Sequence, residues 1–156
     1  MKSSNNKEYL AENQPLLLAL HSCSPTLGIA TLNSKSPKET LQSSQFEIGR
    51  NLSNEILECV DKVLPTSKWK QIGRLSVAIG PGGFTGMRIT IVMARTLAQQ
   101  LECQLDGVSN FALMAHRLSK DLGNEERYKP FWIGNTLPRR GLIAGKYQIE
   151  KSESIN

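Results

Sequence analysis

Gly80-Pro81-Gly82-Gly83-Phe84-Thr85-Gly86 is the stretch on which the fold turns. It follows a short apolar run, Leu75-Ser76-Val77-Ala78-Ile79, that reads as a buried strand. It opens a long apolar segment, Thr85 to Leu101, whose spacing predicts a helix. Glycines at 80, 82, 83 and 86 let the backbone turn sharply and approach a neighbour closely. Amides at a helix start attract anions. The loop therefore has two readings: a phosphate cradle, or a tight strand-to-helix connection that needs glycine for geometry alone. The two standard phosphate patterns are absent. Gly86 is followed by Met87-Arg88 rather than Lys-Ser/Thr, and Thr85 stands where the third glycine of a dinucleotide fingerprint would fall.

Upstream, Leu16 to Leu20 is continuously apolar and reads as a buried strand, with Leu27 to Leu32 as its returning partner. His21-Ser22-Cys23-Ser24-Pro25 supplies the turn, Asn33 to Lys38 a second polar turn, and Thr40 to Ile48 a third strand. Asn51 to Leu64 carries Leu52, Ile56, Leu57, Val60, Val63 and Leu64 at helical spacing, with Asn51 or Ser53 as cap and Pro65 as stop. The helix over 85–101 is apolar on most of its circumference, with a polar edge at Arg88, Arg95 and Gln99, so it needs cover on two sides. One cover is its own sheet; the other is a further element or a second protein. Downstream come a strand at Gln104–Val108, a helix at 110–118 capped by Ser109, a polar linker at 121–129, and strands at 131–133 and 142–149. Hairpin, helix, strand, helix, strand, helix is an α/β order.

The 156 residues suit one domain with an added fragment. The net charge of +5 gives an unspecific attraction to polyanions, and the one adjacent basic pair is Arg139-Arg140. Cys23, Cys59 and Cys103 are widely spaced without a CxxC, which fits buried thiols in a reducing cytosol. His21 and His116 are the only histidines, so neither a metal-ligand pattern nor a nucleophile–base set emerges, and no catalytic residue is assigned. The apolar run at 16–20 is too short for a membrane span or a signal core, which points to a cytoplasmic protein with a disordered extension at 1–14.

Ile79 to Ile89 resembles the G-P-G-S-F-T-G-x-R signature of the TsaB (YeaZ) family, a glycoprotease-like group, with Gly83 in place of serine. Gly107-Val108-Ser109 through Ala115 resembles that family's G-V-S-T-L-x-x-x-A segment, and Asn135 to Tyr147 its D-A-R-x-G-E-V-Y hairpin. The resemblance implies an actin-like (ASKHA, ribonuclease H-like) α/β fold, a mixed sheet flanked by helices. The expected division is a first domain at 15–120, a linker at 121–129, a hairpin at 130–150 that opens a shortened second domain, and a tail at 151–156. The resemblance also implies a non-catalytic partner in making N6-threonylcarbamoyladenosine in tRNA. Its partners would be a TsaD-like catalytic subunit and a TsaE-like ATPase, with tRNA met indirectly and a homodimer as a further arrangement. The interface would use both helices through Leu52, Ile56, Val60, Arg88, Ile91, Val92 and Arg95. Departures matter: His21-Ser22 replaces the family's Asp-Thr, which weakens Mg-ATP binding, so no cofactor is assigned. Leu52 stands at the usual histidine, and Asn135-Thr136-Leu137 at D-A-R. The alternatives are an ATP-binding actin-like enzyme and a degenerate self-associating domain.

Overall fold

The computed structural model describes residues 14–137 and 141–150. The expected N-terminal extension, the Arg139-Arg140 pair and the tail at 151–156 lie outside the described residues, apart from Gln14. Strands β1 (Leu16–His21), β2 (Leu27–Asn33), β3 (Gln42–Phe46), β4 (Ile72–Ala78) and β5 (Gln104–Val108) form one mixed sheet in the order β3-β2-β1-β4-β5. Helices α1 (Leu52–Val63) and α2 (Phe84–Gln100) cover one face, and α3 (Asn110–Leu118) follows β5. Strands β6 (Phe131–Leu137) and β7 (Gly141–Tyr147) make a separate two-stranded antiparallel ribbon that packs on α3. No helix among the described residues is long and apolar enough to cross a membrane.

Strand alternation decides what the core is. β1 pairs antiparallel with β2 and parallel with β4, and the register lines up Leu20 with Ile29 and Val77, and Leu18 with Thr31 and Leu75. All six are buried, facing Ile56, Cys59 and Val60 of α1 and Ala94 and Ala98 of α2. The continuous apolar run at 16–20 reads as a buried strand. Instead only Leu18 and Leu20 are buried, while Ala19 is exposed beside Ala30 and Ser76. The sheet has one core face; the other mixes small side chains such as Ala19, Ala30 and Ser76 with the exposed Arg74–Asp106 ion pair.

Helix α2 reaches the sheet through a stripe of small residues, Thr90, Ala94 and Ala98, four apart and all buried. Small side chains on that stripe let the helix lie close to β4, β1 and β5, and the larger Ile89, Ile91, Met93 and Leu97 flank it half-buried. Two local expectations are corrected. Neither Asn51 nor Ser53 caps α1 with its side chain. A 3-10 turn at Gly49–Asn51 leads into the helix, and its backbone takes the Asn51 amide at the Ile48 carbonyl. The polar turn at 33–38 is followed by a short helical turn, Pro37–Thr40, whose Thr40 hydroxyl accepts from the Asn33 amide. A 3-10 segment at Thr66–Gln71, unread in the sequence, positions Trp69 to donate to the Leu64 carbonyl at 2.8 Å. Ser109 does cap α3, accepting from the Ala112 amide.

One polar contact sits inside the apolar core. The Ser22 hydroxyl donates to Thr90 Oγ1 at 2.7 Å, and Thr90 in turn donates to the Gly86 carbonyl at 3.1 Å, with both side chains buried. A buried hydroxyl stripped of its partner costs about 1–3 kcal/mol, whereas removing both partners is nearly neutral. Thr90→Val should therefore lower unfolding free energy by about that amount, and the double variant with Ser22→Ala should recover part of it. Urea unfolding of the two variants checks this.

Candidate functional site

The glycine loop leaves β4 at Ala78 and is held from three directions. The Ile79 amide donates to the Val108 carbonyl at 2.9 Å, the Asn110 amide to the Gly80 carbonyl at 2.7 Å, and the Gly83 amide to the Cys23 carbonyl at 2.7 Å. Gly80 has φ of +97°, where a side chain would be strained, and the Gly80–Pro81 peptide is cis. A Cβ on Gly82 would overlap the Cys23 carbonyl oxygen, so this glycine exists for contact with the β1–β2 turn. The spacing left the loop between phosphate cradle and structural joint. The geometry supplies the contacts of a joint at one of its amides, with the Gly83 N–H turned inward onto Cys23.

His21 takes part in the same joint. The Asn110 side-chain NH2 donates to the Pro81 carbonyl at 3.0 Å, so its Oδ1 faces His21 Nε2, 2.9 Å away, and the imidazole donates that proton. The residue that replaces the family's aspartate thus anchors α3 and, through Asn110, the loop. Asn110 was legible only as a helix start; nothing in its spacing marks the contact. Burial pushes the Cys23 thiol up, with a smaller opposing effect from the Gly80 backbone, so the buried thiol stays protonated.

A cleft of about 710 Å³ lies beside the loop, lined by Cys23, Arg50, Gly82, Thr85, Asn135 and Leu137 among others. It brings the family-signature loop next to the first residues of the expected hairpin. Phe84 and Thr85 are exposed at its rim, and Arg88 stacks on the Phe84 ring at 4.9 Å. Among the described residues no group of three His, Cys, Asp or Glu gathers as a metal site would require.

The seven residues expected at a partner interface divide sharply. Leu52, Ile56 and Val60 are buried in the core, because α1 turns that stripe toward β2 and α2. Ile91 is half-buried against the core. Arg88, Val92 and Arg95 are exposed, Val92 at 65%. Leu57, which belongs to the same apolar stripe but was not singled out, is exposed at 53%. Val92, Leu57, Ile89 and Met93 line an open hollow between the two helices.

A family model described as "TsaD: tRNA N6-adenosine threonylcarbamoyltransferase" matches residues 45–133. The Bacillus subtilis (strain 168) tRNA threonylcarbamoyladenosine biosynthesis protein TsaB is 29% identical over 102 residues, 64% of this chain and 43% of that protein. The TsaB protein of Buchnera aphidicola subsp. Schizaphis graminum is 34% identical over 82 residues, 51% of this chain and 39% of its own. That of Buchnera aphidicola subsp. Acyrthosiphon pisum is 23% identical over 119 residues, 70% and 54%. The chain thus spans about half the length of the curated relatives it matches. The solved structure of YeaZ from Pseudomonas aeruginosa superposes with a TM-score of 0.70 at 24% identity, over 87% of this chain and 61% of that one. The five-stranded mixed sheet with its helices is the actin-like α/β fold that the loop signature implied.

The loop makes a paired test. Gly82→Ala should cost about 1–3 kcal/mol through overlap with Cys23. Gly83→Ser, which restores the signature residue, meets Cys23 only at an ordinary 3.7 Å and places a serine at the uncapped start of α2. It should stabilise by a few tenths of a kcal/mol, about the margin between serine and glycine caps. Thermal unfolding of the two variants should move in opposite directions.

Proposed function

This chain belongs to the TsaD-type family, as a TsaB (YeaZ) member, and we propose that it serves as a non-catalytic partner subunit in making N6-threonylcarbamoyladenosine in tRNA. Its counterpart is a TsaD-like catalytic subunit, joined by a TsaE-like ATPase, in the cytoplasm. The observation that carries this reading is the exposed apolar face across α1 and α2. Leu57 and Val92 stand out from the surface, and Ile56, Ile89 and Met93 form the floor of a hollow of about 450 Å³ between them. Soluble proteins seldom leave adjacent large apolar side chains open without a partner for them. The only charged residues of α2 are Arg88 and Arg95, and Arg88 lines the hollow, while α1 carries Glu55, Asp61 and the Glu58–Lys62 ion pair. The division at 15–120 and 130–150 belongs to the same reading: β6–β7 opens a second domain, and the helix face belongs to the first.

Binding should be broken at the exposed positions and folding at the inward ones. Val92→Asp, alone or with Leu57→Asp, should weaken association with a TsaD-like subunit by about tenfold or more while the melting temperature hardly moves. Ile91→Asp should lower the melting temperature itself. Sedimentation of the mixed proteins reads the first effect and calorimetry the second. A double variant that still associates at wild-type strength sinks the assignment of this face. A homodimer that is lost in the same variants would assign it to self-association instead.

The cleft beside the loop favours a second reading, Mg-ATP binding by an actin-like enzyme. Against it, His21 replaces a carboxylate and is engaged with Asn110, and the Gly83 amide is engaged with Cys23. Titration calorimetry with Mg-ATP should therefore show no binding heat, and a saturable heat would restore the enzyme reading.

A further inference from the structure

The charge of the chain is not spread over it. Between Glu126 and Glu150 stand Arg127, Lys129, Arg139, Arg140 and Lys146, five of the nineteen basic residues, with no Asp or Glu. The rest of the chain sets fourteen basic residues against fourteen acidic ones, so the excess of +5 falls in this segment of the sequence, with Arg127, Lys129 and Lys146 among the described residues.

The ribbon has two different faces. Its inner face is tied down: Ile133 is buried with Phe111 and Ala115 of α3, and Phe131, Ile143 and Tyr147 close around them. Its outer face carries Trp132 opposite Lys146, Gly134 opposite Ala144, and Thr136 opposite Leu142. Trp132 is 68% exposed and Leu142 72% exposed, the two most exposed large apolar side chains among the described residues. Leu142 leans along the strand toward Gly134, 3.3 Å from where a Cβ there would stand, which leaves a low floor between it and Trp132. Among the described residues neither Lys146 nor Lys129 forms an ion pair.

We propose that the outer face of the β6–β7 ribbon binds single-stranded RNA, with Trp132 stacking on a base and Lys146 taking an adjacent phosphate. An exposed indole opposite an unpaired ammonium on a strand pair matches an unstacked base attached to its phosphate. The charge excess selects a polyanion, and the indole distinguishes one that carries bases from one that does not. The surface rests on Trp132, Leu142 and Lys146, with Lys129 exposed just upstream. This goes beyond the partner reading, in which RNA is met only through another subunit.

Trp132 also reports on itself. The chain has two tryptophans, and Trp69 is part-buried and bonded to the Leu64 carbonyl, so quenching of the exposed indole follows binding at the ribbon. The full chain is titrated with a single-stranded RNA oligomer, with heparin, and with phosphatidylserine vesicles. RNA should quench the emission, with an affinity that falls as salt rises. Trp132→Ala should lose about tenfold in RNA affinity, measured by anisotropy of labelled RNA, whereas Trp132→Phe should stay within a few-fold. Lys146→Glu should weaken RNA binding and reduce the logarithmic salt slope by about 0.7, the value for one phosphate of a single strand. Heparin should be insensitive to Trp132→Ala. Circular dichroism confirms that each variant is folded, as expected for outward side chains. RNA binding unchanged in Trp132→Ala, or equal quenching by heparin or vesicles, overturns the proposal. The assay contains no second protein, so its failure leaves the α1–α2 reading standing.

Discussion

The contact on which the rest of the structure depends is the seating of the glycine loop on the β1–β2 turn. The Gly83 amide reaches the Cys23 carbonyl, and Gly82 lies so close to Cys23 that no side chain fits between them. This one junction fixes the end of β4, the start of α2 and the tip of the first hairpin relative to one another. Asn110 then locks α3 onto the same point, donating to the Gly80 and Pro81 carbonyls and accepting a hydrogen bond from His21 at its Oδ1. Four elements meet at this junction, held by hydrogen bonds among their own backbone and side-chain groups. A backbone amide donates one strong hydrogen bond, so an amide given to Cys23 is not available to a ligand.

From that junction outward the molecule divides its surfaces by chemistry. The core face of the central sheet takes Leu18, Leu20, Ile29, Leu75 and Val77, and the small stripe of α2 lets the helix approach it. The outer side of α1 and α2 keeps Leu57 and Val92 in solvent, near Arg88. The ribbon keeps Trp132 and Leu142 in solvent, with Lys146 opposite Trp132. Both exposed apolar sets lie outside the two buried clusters.

Much of the fold was legible in the sequence. The strand and helix order, the Ser109 cap and the stop at Pro65 follow from patterns that act over one or two turns of chain. The family signature at 79–89 was legible for a similar reason: the tight joint needs glycine at Gly80 and Gly82, and such requirements leave a readable mark. Burial within a stripe was less legible. Leu52, Ile56, Leu57 and Val60 share one apolar pattern, yet the first two and the last are in the core and Leu57 is at the surface. Periodicity gives a direction around the helix axis but not the width of the neighbour that covers it. Leu16 to Leu20 was legible as a strand, but a run of apolar residues does not say whether one or both sheet faces will be covered.

The sequence by itself determined the α/β order, the family loop and the lopsided charge, because each is a local or additive property of the chain. Tertiary structure alone decided that the Gly83 amide serves Cys23, that His21 serves Asn110 across 89 positions, and that Val92 faces outward while Ala94 does not. Those outcomes depend on which distant groups arrive within hydrogen-bonding or packing distance, and only the closed sheet with its helices in place brings them there.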